Sequence, residues 1–292
     1  MSTFKKFELE NHHLDVCSIE VMSEIQNSIL DKNVSNIDID LRKYNYIDPS
    51  FAVIIASSLY LGNLYNKRVR IIYNPRNSKS LEFLFVSGIK EHFEVIDINH
   101  MCDKNGIALD TNRIPFRQFT KIEETFGIVN DILNKAPVNL SSGLKDDLFS
   151  KVIEIFTNAF VHGKSRIGVF CCGYTDDQND FSFSVYDAGI GICKSVSNYL
   201  LDKKLSSQEA IEWAFKKGNS TLIGKSDYPR GAGLHLLEEF IVINEGIIDL
   251  ISENVYYQIN KDKKIFHELR LPLVGTMFSM KIKNDKNCIY TY

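Results

Sequence analysis

The sequence predicts an α/β protein with two units, because short apolar strands alternate with helical stretches up to residue 98 and again beyond residue 121. Its length of 292 residues is about twice that of an ordinary domain, which also favours two units. With 44% hydrophobic and 24% charged residues, the composition is that of a globular protein. We expect an N-terminal unit over residues 1–98, a junction over 99–121 and a C-terminal unit over 122–292.

Charge and composition argue against several classes of protein. Thirty-four basic and 37 acidic residues give a net charge of −3, so no overall attraction to nucleic acid or to an anionic membrane is expected. The longest uncharged stretch, residues 49–66, contains serines and asparagines and falls short of a membrane span, so it predicts a buried helix. The first residues lack the apolar segment of a secretory signal, which favours the cytoplasm. The six cysteines form no Cys-x-x-Cys pair and are predicted to be reduced thiols.

The pattern of the N-terminal unit follows the two periods of strands and helices. Ile19, Met22, Ile25 and Ile29 recur at three- and four-residue spacing, which predicts an amphipathic helix. The predicted strands cover 4–9, 37–41, 69–73 and 93–96, and the predicted helices cover 14–30, 49–65 and 78–85. The junction that follows has no clear period.

The C-terminal unit has clearer end signals. Gly163 stands where a long helix would end, and the sequence from Ser206 to Glu209 is a capping box that opens another helix. The predicted helices cover 122–135, 144–162, 207–215 and 233–244. The predicted strands cover 166–173, 181–186, 247–251, 255–259, 265–270 and 276–282.

Two Gly-x-Gly turns are the first candidates for a binding site. Gly189 and Gly191 follow a predicted strand, whereas Gly231 and Gly233 open a predicted helix. A glycine-rich turn before a helix leaves backbone N–H groups for an anion and lets phosphate oxygens approach closely. Each turn alone could equally be structural.

A polar stripe on the helix before these turns is the second candidate. Glu154, Asn158 and His162 are spaced four residues apart and therefore share one helix face. Carboxylate and amide oxygens one turn apart can hold a water or Mg²⁺, although such a stripe alone could be a solvated face. The stripe becomes a stronger sign of a binding site because Asp187 and the Gly189–Gly191 turn follow it at the end of the next hairpin.

Four motifs in order resemble those of the GHKL, or histidine kinase-like, ATPases. Residues 154–163 (EIFTNAFVHG) are similar to the N-box, 187–191 (DAGIG) to the G1 box, 230–237 (RGAGLHLL) to the G2 box and 275–280 (GTMFSM) to the closing strand motif. The resemblance covers roughly residues 120–283. It implies the Bergerat fold, an α/β sandwich with a mixed sheet that binds ATP and Mg²⁺.

The resemblance implies a role for each matching position. Asp187 would accept a hydrogen bond from the adenine amino group, and Thr276 would support adenine recognition. Asn158 would hold Mg²⁺ against the phosphates, and Glu154 would be the catalytic base. Since a carboxylate distinguishes the amine of adenine from the carbonyl of guanine, these roles agree with the chemistry of the side chains.

The remaining nucleotide-binding positions follow from the same motifs. The glycines of the G1 box would shape the pocket and hinge a lid, and those of the G2 box would admit the phosphates. Arg230 could contact a phosphate or be a surface arginine. The full predicted set beyond the previous four residues is His162, Gly189, Gly191, Arg230, Gly231, Gly233 and Leu234.

The residues of the N-box indicate which group of GHKL proteins the sequence resembles most. Asn158-Ala-Phe-Val-His162 is similar to the anti-sigma-factor serine kinases, and residues 192–230 would then form the ATP lid. A long lid favours closure that is coupled to phosphate or to a partner. No phospho-acceptor histidine box precedes this region, which argues against a conventional sensor histidine kinase.

The N-terminal unit resembles the sulfate-transporter and anti-sigma-antagonist (STAS) domain. The strand over 37–41, the turn and helix over 47–55, the strand over 69–73 and residues 84–89 carry this resemblance. It implies that Ser50 stands at the phospho-acceptor position, although Phe51 replaces the usual glycine. Alternatively, Ser50 only caps a helix.

Together these patterns predict an ATP-binding, Mg²⁺-dependent regulatory protein in signal transduction, with lid closure as its switch. It would be an ATPase or a protein serine kinase that acts on a regulatory partner or on its own STAS-like unit. Slow hydrolysis that drives dimerisation, and a non-catalytic module that holds a partner when ATP is bound, are the alternatives. A homodimer is left open.

Overall fold

The protein is a mixed α/β structure, as the sequence predicts. The computed structural model describes residues 3–8, 14–42, 48–73, 95–97, 113–161, 163–200, 205–216, 218–219 and 233–291. The predicted helix over 78–85 lies outside these ranges. None of the described helices is both long and apolar enough to cross a membrane.

The N-terminal elements form a parallel sheet with two helices. In chain order they are β1 (Thr3–Glu8), α1 (Val16–Leu30), β2 (Val34–Asp40), α2 (Pro49–Leu64), β3 (Arg68–Tyr73) and β4 (Val95–Asp97). The strand order is β1-β2-β3-β4, and all three pairings are parallel. Asp15 caps α1 by accepting a hydrogen bond from the Ser18 N–H at 2.8 Å. These bounds agree with the prediction to within a few residues.

The rest of the chain contains seven strands and five α-helices within the described residues. The strands are β5 (Arg113–Phe119), β6 (Val138–Leu140), β7 (Val169–Thr175), β8 (Phe181–Asp187), β9 (Ile247–Asn260), β10 (Lys264–Ile282) and β11 (Asp285–Tyr290). After a 3₁₀ turn at Ile122–Glu124, the helices are α3 (Thr125–Lys135), α4 (Ser142–Val161), α5 (Ile192–Leu200), α6 (Ser207–Phe215) and α7 (Gly233–Asn244).

The predicted mixed sheet of the C-terminal unit is wrong. Five strands form one sheet in the order β5-β7-β8-β10-β9, and each of its four pairings is antiparallel. Hairpins connect β7 to β8 and β9 to β10, which explains the antiparallel order. The parallel pairing is that of β6 with β11, in a separate two-stranded sheet. The edge strand β5 lies inside the range predicted as a junction.

The two faces of the five-stranded sheet pack against different helices. Alternate residues such as Val185 and Phe278 belong to the core formed with α3, α4, α6 and α7. Their neighbours Tyr186 and Met277 belong to the core formed with α1 and α2. This alternation is what the two-residue period of a strand requires.

Helix α2 lies in the middle of that second core. Its residues are buried around the whole circumference, which confirms the predicted buried helix. A helix that is apolar on all sides must be covered on all sides. Here α2 contacts β3 of the parallel sheet and also β7 and β8 of the antiparallel sheet, so the N-terminal unit covers the back of the sheet.

Candidate functional site

A pocket on the helical face of the five-stranded sheet brings half of the twelve predicted site residues together. It lies between helices α4 to α7 and strands β8, β9 and β10. Six predicted residues line it: Glu154, Asn158, Asp187, Gly191, Leu234 and Thr276. They come from sequence positions up to 122 apart, so the fold gathers the four motifs around one cavity.

The other predicted positions fall outside the lining. Gly189 contacts Asp187 from the turn that follows β8, and Gly233 is the first residue of α7. His162, Arg230 and Gly231 lie outside the described residues. Ser50 does not line the pocket.

Asp187 is the most unusual group of the pocket. It is the last residue of β8, pairs directly with Thr276 of β10 and is only 3% exposed. Its Oδ1 accepts a hydrogen bond from the Gly189 N–H at 2.9 Å, and no other hydrogen bond to its carboxyl group is formed within the described part of the chain. Burial raises the pKa of Asp187 to about 8. The second carboxyl oxygen is therefore left for a ligand, and it accepts a hydrogen bond from a ligand donor when the carboxyl group is ionised.

Three glycines make this arrangement possible because backbone groups approach one another closely around Asp187. A Cβ atom on Gly189 would lie 1.7 Å from the Gly163 carbonyl oxygen, and one on Gly163 would lie 2.4 Å from Asp187 Oδ1. At Gly275, where φ is +87°, a Cβ atom would lie 1.9 Å from the Asp187 carbonyl oxygen. The Ile190 N–H also donates to the Gly163 carbonyl at 2.8 Å. The end of α4, the turn after β8 and β10 thus meet through their backbones.

Glu154 and Asn158 face the same pocket from α4. Both side chains are partly exposed, and Lys151 Nζ lies 4.0 Å from Glu154 Oε2. No group of three His, Cys, Asp or Glu residues among the described residues could hold a metal ion. The oxygens of Glu154 and Asn158 suit Mg²⁺, which usually keeps waters and phosphate oxygens as its other ligands.

The helix that follows the Gly189–Gly191 turn is already capped by protein groups. The Ile192 N–H donates to Ser252 Oγ at 2.8 Å, and the Lys194 N–H donates to Glu253 Oε1 at 2.9 Å. Burial raises the pKa of Glu253. The expectation that this turn supplies N–H groups to an anion therefore fails for two of the N–H groups at the start of α5. Gly191, with φ of +82°, instead lets the chain pass over Ser252 and Glu253.

Several lining residues could not be predicted from the motifs. Trp213 and Ala214 of α6, Asn219 and Ser195 reach the pocket from the predicted lid, and Leu250 and Phe278 form part of its apolar floor. Trp213 contacts Tyr199 with ring centroids 5.7 Å apart. As the only tryptophan of the chain, Trp213 was visible in the sequence, but only the packing of α6 directs it to this pocket.

Ser50 has the environment of a helix cap. It is fully buried at the N-terminus of α2, its N–H donates to Asp48 Oδ1 at 2.9 Å, and its hydroxyl donates to the same oxygen. Phosphorylation of Ser50 stays a prediction, and it would require the hydroxyl to become exposed.

The comparisons with known proteins do not assign the chain to a family. No protein-family model matches it, and no curated protein matches its sequence.

Proposed function

We propose that the protein binds ATP with Mg²⁺ in this pocket and acts as a regulatory switch of the GHKL type, as an ATPase or a protein serine kinase. In this proposal the five-stranded sheet with α4 to α7 is a variant of the Bergerat fold, and the N-terminal unit is STAS-like. The observation that carries the proposal is the buried carboxyl group of Asp187, which faces the pocket beside Thr276.

The surroundings of Asp187 favour an adenine ring as its partner. A buried carboxyl group with one hydrogen bond contributes most to binding when the ligand supplies a hydrogen-bond donor and its apolar part excludes water from the pocket. The exocyclic amine of adenine is such a donor, whereas the carbonyl of guanine would face the carboxyl oxygen unfavourably. The apolar residues Ile155, Val185 and Phe278 line the same pocket and suit the faces of a flat ring.

The phosphate end would lie toward α4 and the start of α7. Asn158 would hold Mg²⁺ through its amide oxygen, and Glu154 would accept a proton from water or from an acceptor hydroxyl. When bound, Mg²⁺ would neutralise charge on the phosphates. Because two N–H groups at the start of α5 are capped, the N-terminus of α7 after Gly231 and Gly233 is the better candidate for contacts with the phosphates.

Glu154→Gln tests catalysis separately from binding. We expect the variant to bind ATP within about threefold of the wild type, because it keeps the size and polarity of the side chain, while turnover falls by about 100-fold or more. Radiolabelled ATP distinguishes label transferred to protein from released phosphate. Asp146→Asn, an exposed change on the same helix, is the control and should keep full turnover.

The outcomes separate the alternatives. Label on a protein serine indicates a kinase, and phosphate release without label indicates an ATPase. Binding without either reaction indicates a module that uses ATP only to hold a partner. A Glu154→Gln protein with the wild-type rate would reject Glu154 as the base.

Trp213 should report on binding directly. Because this residue lines the pocket and is the only tryptophan, ATP with Mg²⁺ should produce a saturable change in its fluorescence. Trp213→Phe should abolish the signal and weaken binding by no more than about tenfold, since an aromatic ring is kept. Calorimetric binding of ATP that leaves the emission of Trp213 unchanged would argue against this pocket.

A further inference from the structure

A set of hydrogen bonds connects α1 of the N-terminal unit to the back of the pocket. The side chain of Gln26 is fully buried; its Nε2 donates to the Tyr186 hydroxyl at 2.8 Å, and its Oε1 accepts from the Val274 N–H at 3.0 Å. The Tyr186 hydroxyl donates to the Val274 carbonyl oxygen at 2.5 Å. One glutamine thus holds both polar groups of the Val274 backbone, one directly and one through Tyr186.

The Val274 backbone needs these partners because β10 is irregular at this point. The pairing of β10 with β9 shifts register between Glu268 and Leu273 and again between Leu273 and Thr276. Val274 and Gly275 therefore have no partner in β9, and pairing with β8 begins only at Thr276. Backbone groups that are partly buried and outside a ladder need other partners: Gln26 of α1 accepts from the Val274 N–H, and Tyr186 of β8 donates to its carbonyl oxygen. Asn27 of α1 adds a hydrogen bond to the Pro272 carbonyl at 2.8 Å.

Both ends of this set lie within two residues of the pocket lining. Tyr186 precedes Asp187 in β8, and its side chain lies on the opposite face of the sheet. Val274 precedes Gly275, whose backbone approaches the Asp187 carbonyl so closely that a Cβ atom would lie 1.9 Å from it. A movement of Val274 would therefore displace the backbone against which Asp187 and Gly189 are packed.

We infer that Gln26 is a positioning residue of the pocket, and that α1 of the N-terminal unit sets the geometry of Asp187 and Thr276 through Tyr186 and Val274. Buried polar networks of this kind specify one arrangement because an unpaired member is costly. The expected effect of Gln26 on nucleotide affinity depends on the proposed function. Its expected effect on the backbone at Val274 and Gly189 does not.

The chain offers matched variants on one helix. Gln26→Met keeps the approximate size of the side chain and removes both hydrogen bonds. Gln26→Glu, with burial favouring the neutral acid, can again accept from Val274 and donate to Tyr186 at pH 6. Ser23→Ala removes a buried hydroxyl that has no hydrogen-bond partner among the described residues. Ile25→Val removes a buried methyl group without removing a hydrogen bond and serves as a control for lost stability.

The first measurement is amide hydrogen exchange of the nucleotide-free protein. We expect Gln26→Met to accelerate exchange at Val274 and at Gly189 by about tenfold, because their positions become less restricted. Gln26→Glu at pH 6, Ser23→Ala and Ile25→Val should leave Gly189 close to the wild-type rate. Unchanged exchange at Gly189 in Gln26→Met, or no rescue by Gln26→Glu, would overturn the inference.

The second measurement is calorimetric binding of ATP and ADP. Gln26→Met should weaken both by the same factor, about 3- to 10-fold, because the hydrogen bonds of Gln26 act on the adenine end, which ATP and ADP share. A loss no larger than that of Ile25→Val would overturn the inference while leaving the proposed function intact. If the wild type binds neither nucleotide, the proposed function fails, and exchange at Gly189 still decides the role of Gln26.

Discussion

Asp187→Asn should abolish ATP binding while making the nucleotide-free protein more stable at pH 8. In the wild type the Gly189 N–H holds Oδ1, and the second oxygen can accept from the ligand once the carboxyl group is ionised, a form that is available near pH 8. In the variant the Asn oxygen would keep that hydrogen bond and the amide NH₂ would face the pocket. An NH₂ group opposite the adenine amine places donor against donor, and we expect affinity to fall by at least about 100-fold.

The gain in stability follows from the raised pKa of Asp187. The carboxyl group has a pKa of about 8 in the folded protein and an ordinary value of 3.8. Between these values the folded chain holds a proton that the unfolded chain has released, so wild-type stability falls as pH rises, by about 5 kcal/mol at pH 8. Asn does not titrate, and its buried NH₂ group costs about 1–3 kcal/mol. The variant should be less stable below pH 4 and more stable, by about 2–4 kcal/mol, near pH 8.

Urea unfolding at several pH values and calorimetric titration with ATP check both parts. Asp249→Asn is the control, because burial also raises the pKa of Asp249, to about 6, but this residue does not line the pocket. It should bind ATP normally. Unchanged affinity in Asp187→Asn would remove Asp187 from the adenine site, and a stability difference that does not vary with pH would show that the carboxyl group is ionised at neutral pH.

The sequence predicts this site better than it predicts the sheet. Glu154 and Asn158 are one helix turn apart, so local spacing alone places them on one face of α4. Asp187 is the last residue of β8, so the same local pattern places it at the end of the strand. The long strands β9 and β10 were each predicted as two pieces. Glu253 has a positive φ, and β10 contains Pro272 and two register shifts, so interruptions of the apolar pattern resembled strand ends.

Contacts between distant parts of the chain were beyond local patterns. Gln26 is 160 residues from Tyr186 and 248 from Val274, and in the sequence it is one polar position in an amphipathic helix. The sequence does not predict helix α5, because its residues belong to the predicted lid and their only signal is a short amphipathic pattern. The sequence predicts the hairpin before Asp187 but not the order of the five strands, because the pairing of strands that are distant in the chain is set by tertiary packing.

Gly275→Ala should have the largest effect on the fold. The backbone at Gly275 has φ of +87°, which disfavours any side chain, and a Cβ atom would lie 1.9 Å from the Asp187 carbonyl oxygen and 2.6 Å from the Gly189 nitrogen. These are backbone atoms of a central strand and its turn, so they cannot move aside as a flexible side chain could. We expect a loss of about 3 kcal/mol or more in the free energy of unfolding.

Gly127→Ala is the control, and we expect it to change stability in the opposite direction. Gly127 lies in α3, and a Cβ atom there would meet nothing within 4 Å, so alanine should stabilise the protein by about 0.5–1 kcal/mol. Urea unfolding measures both changes, and ATP binding by the folded fraction of Gly275→Ala should be weaker by at least about tenfold because Asp187 is displaced. A Gly275→Ala protein as stable as the wild type would mean that β8 and β10 do not approach each other as closely as the pocket requires, which would also remove the route from Gln26 to Asp187.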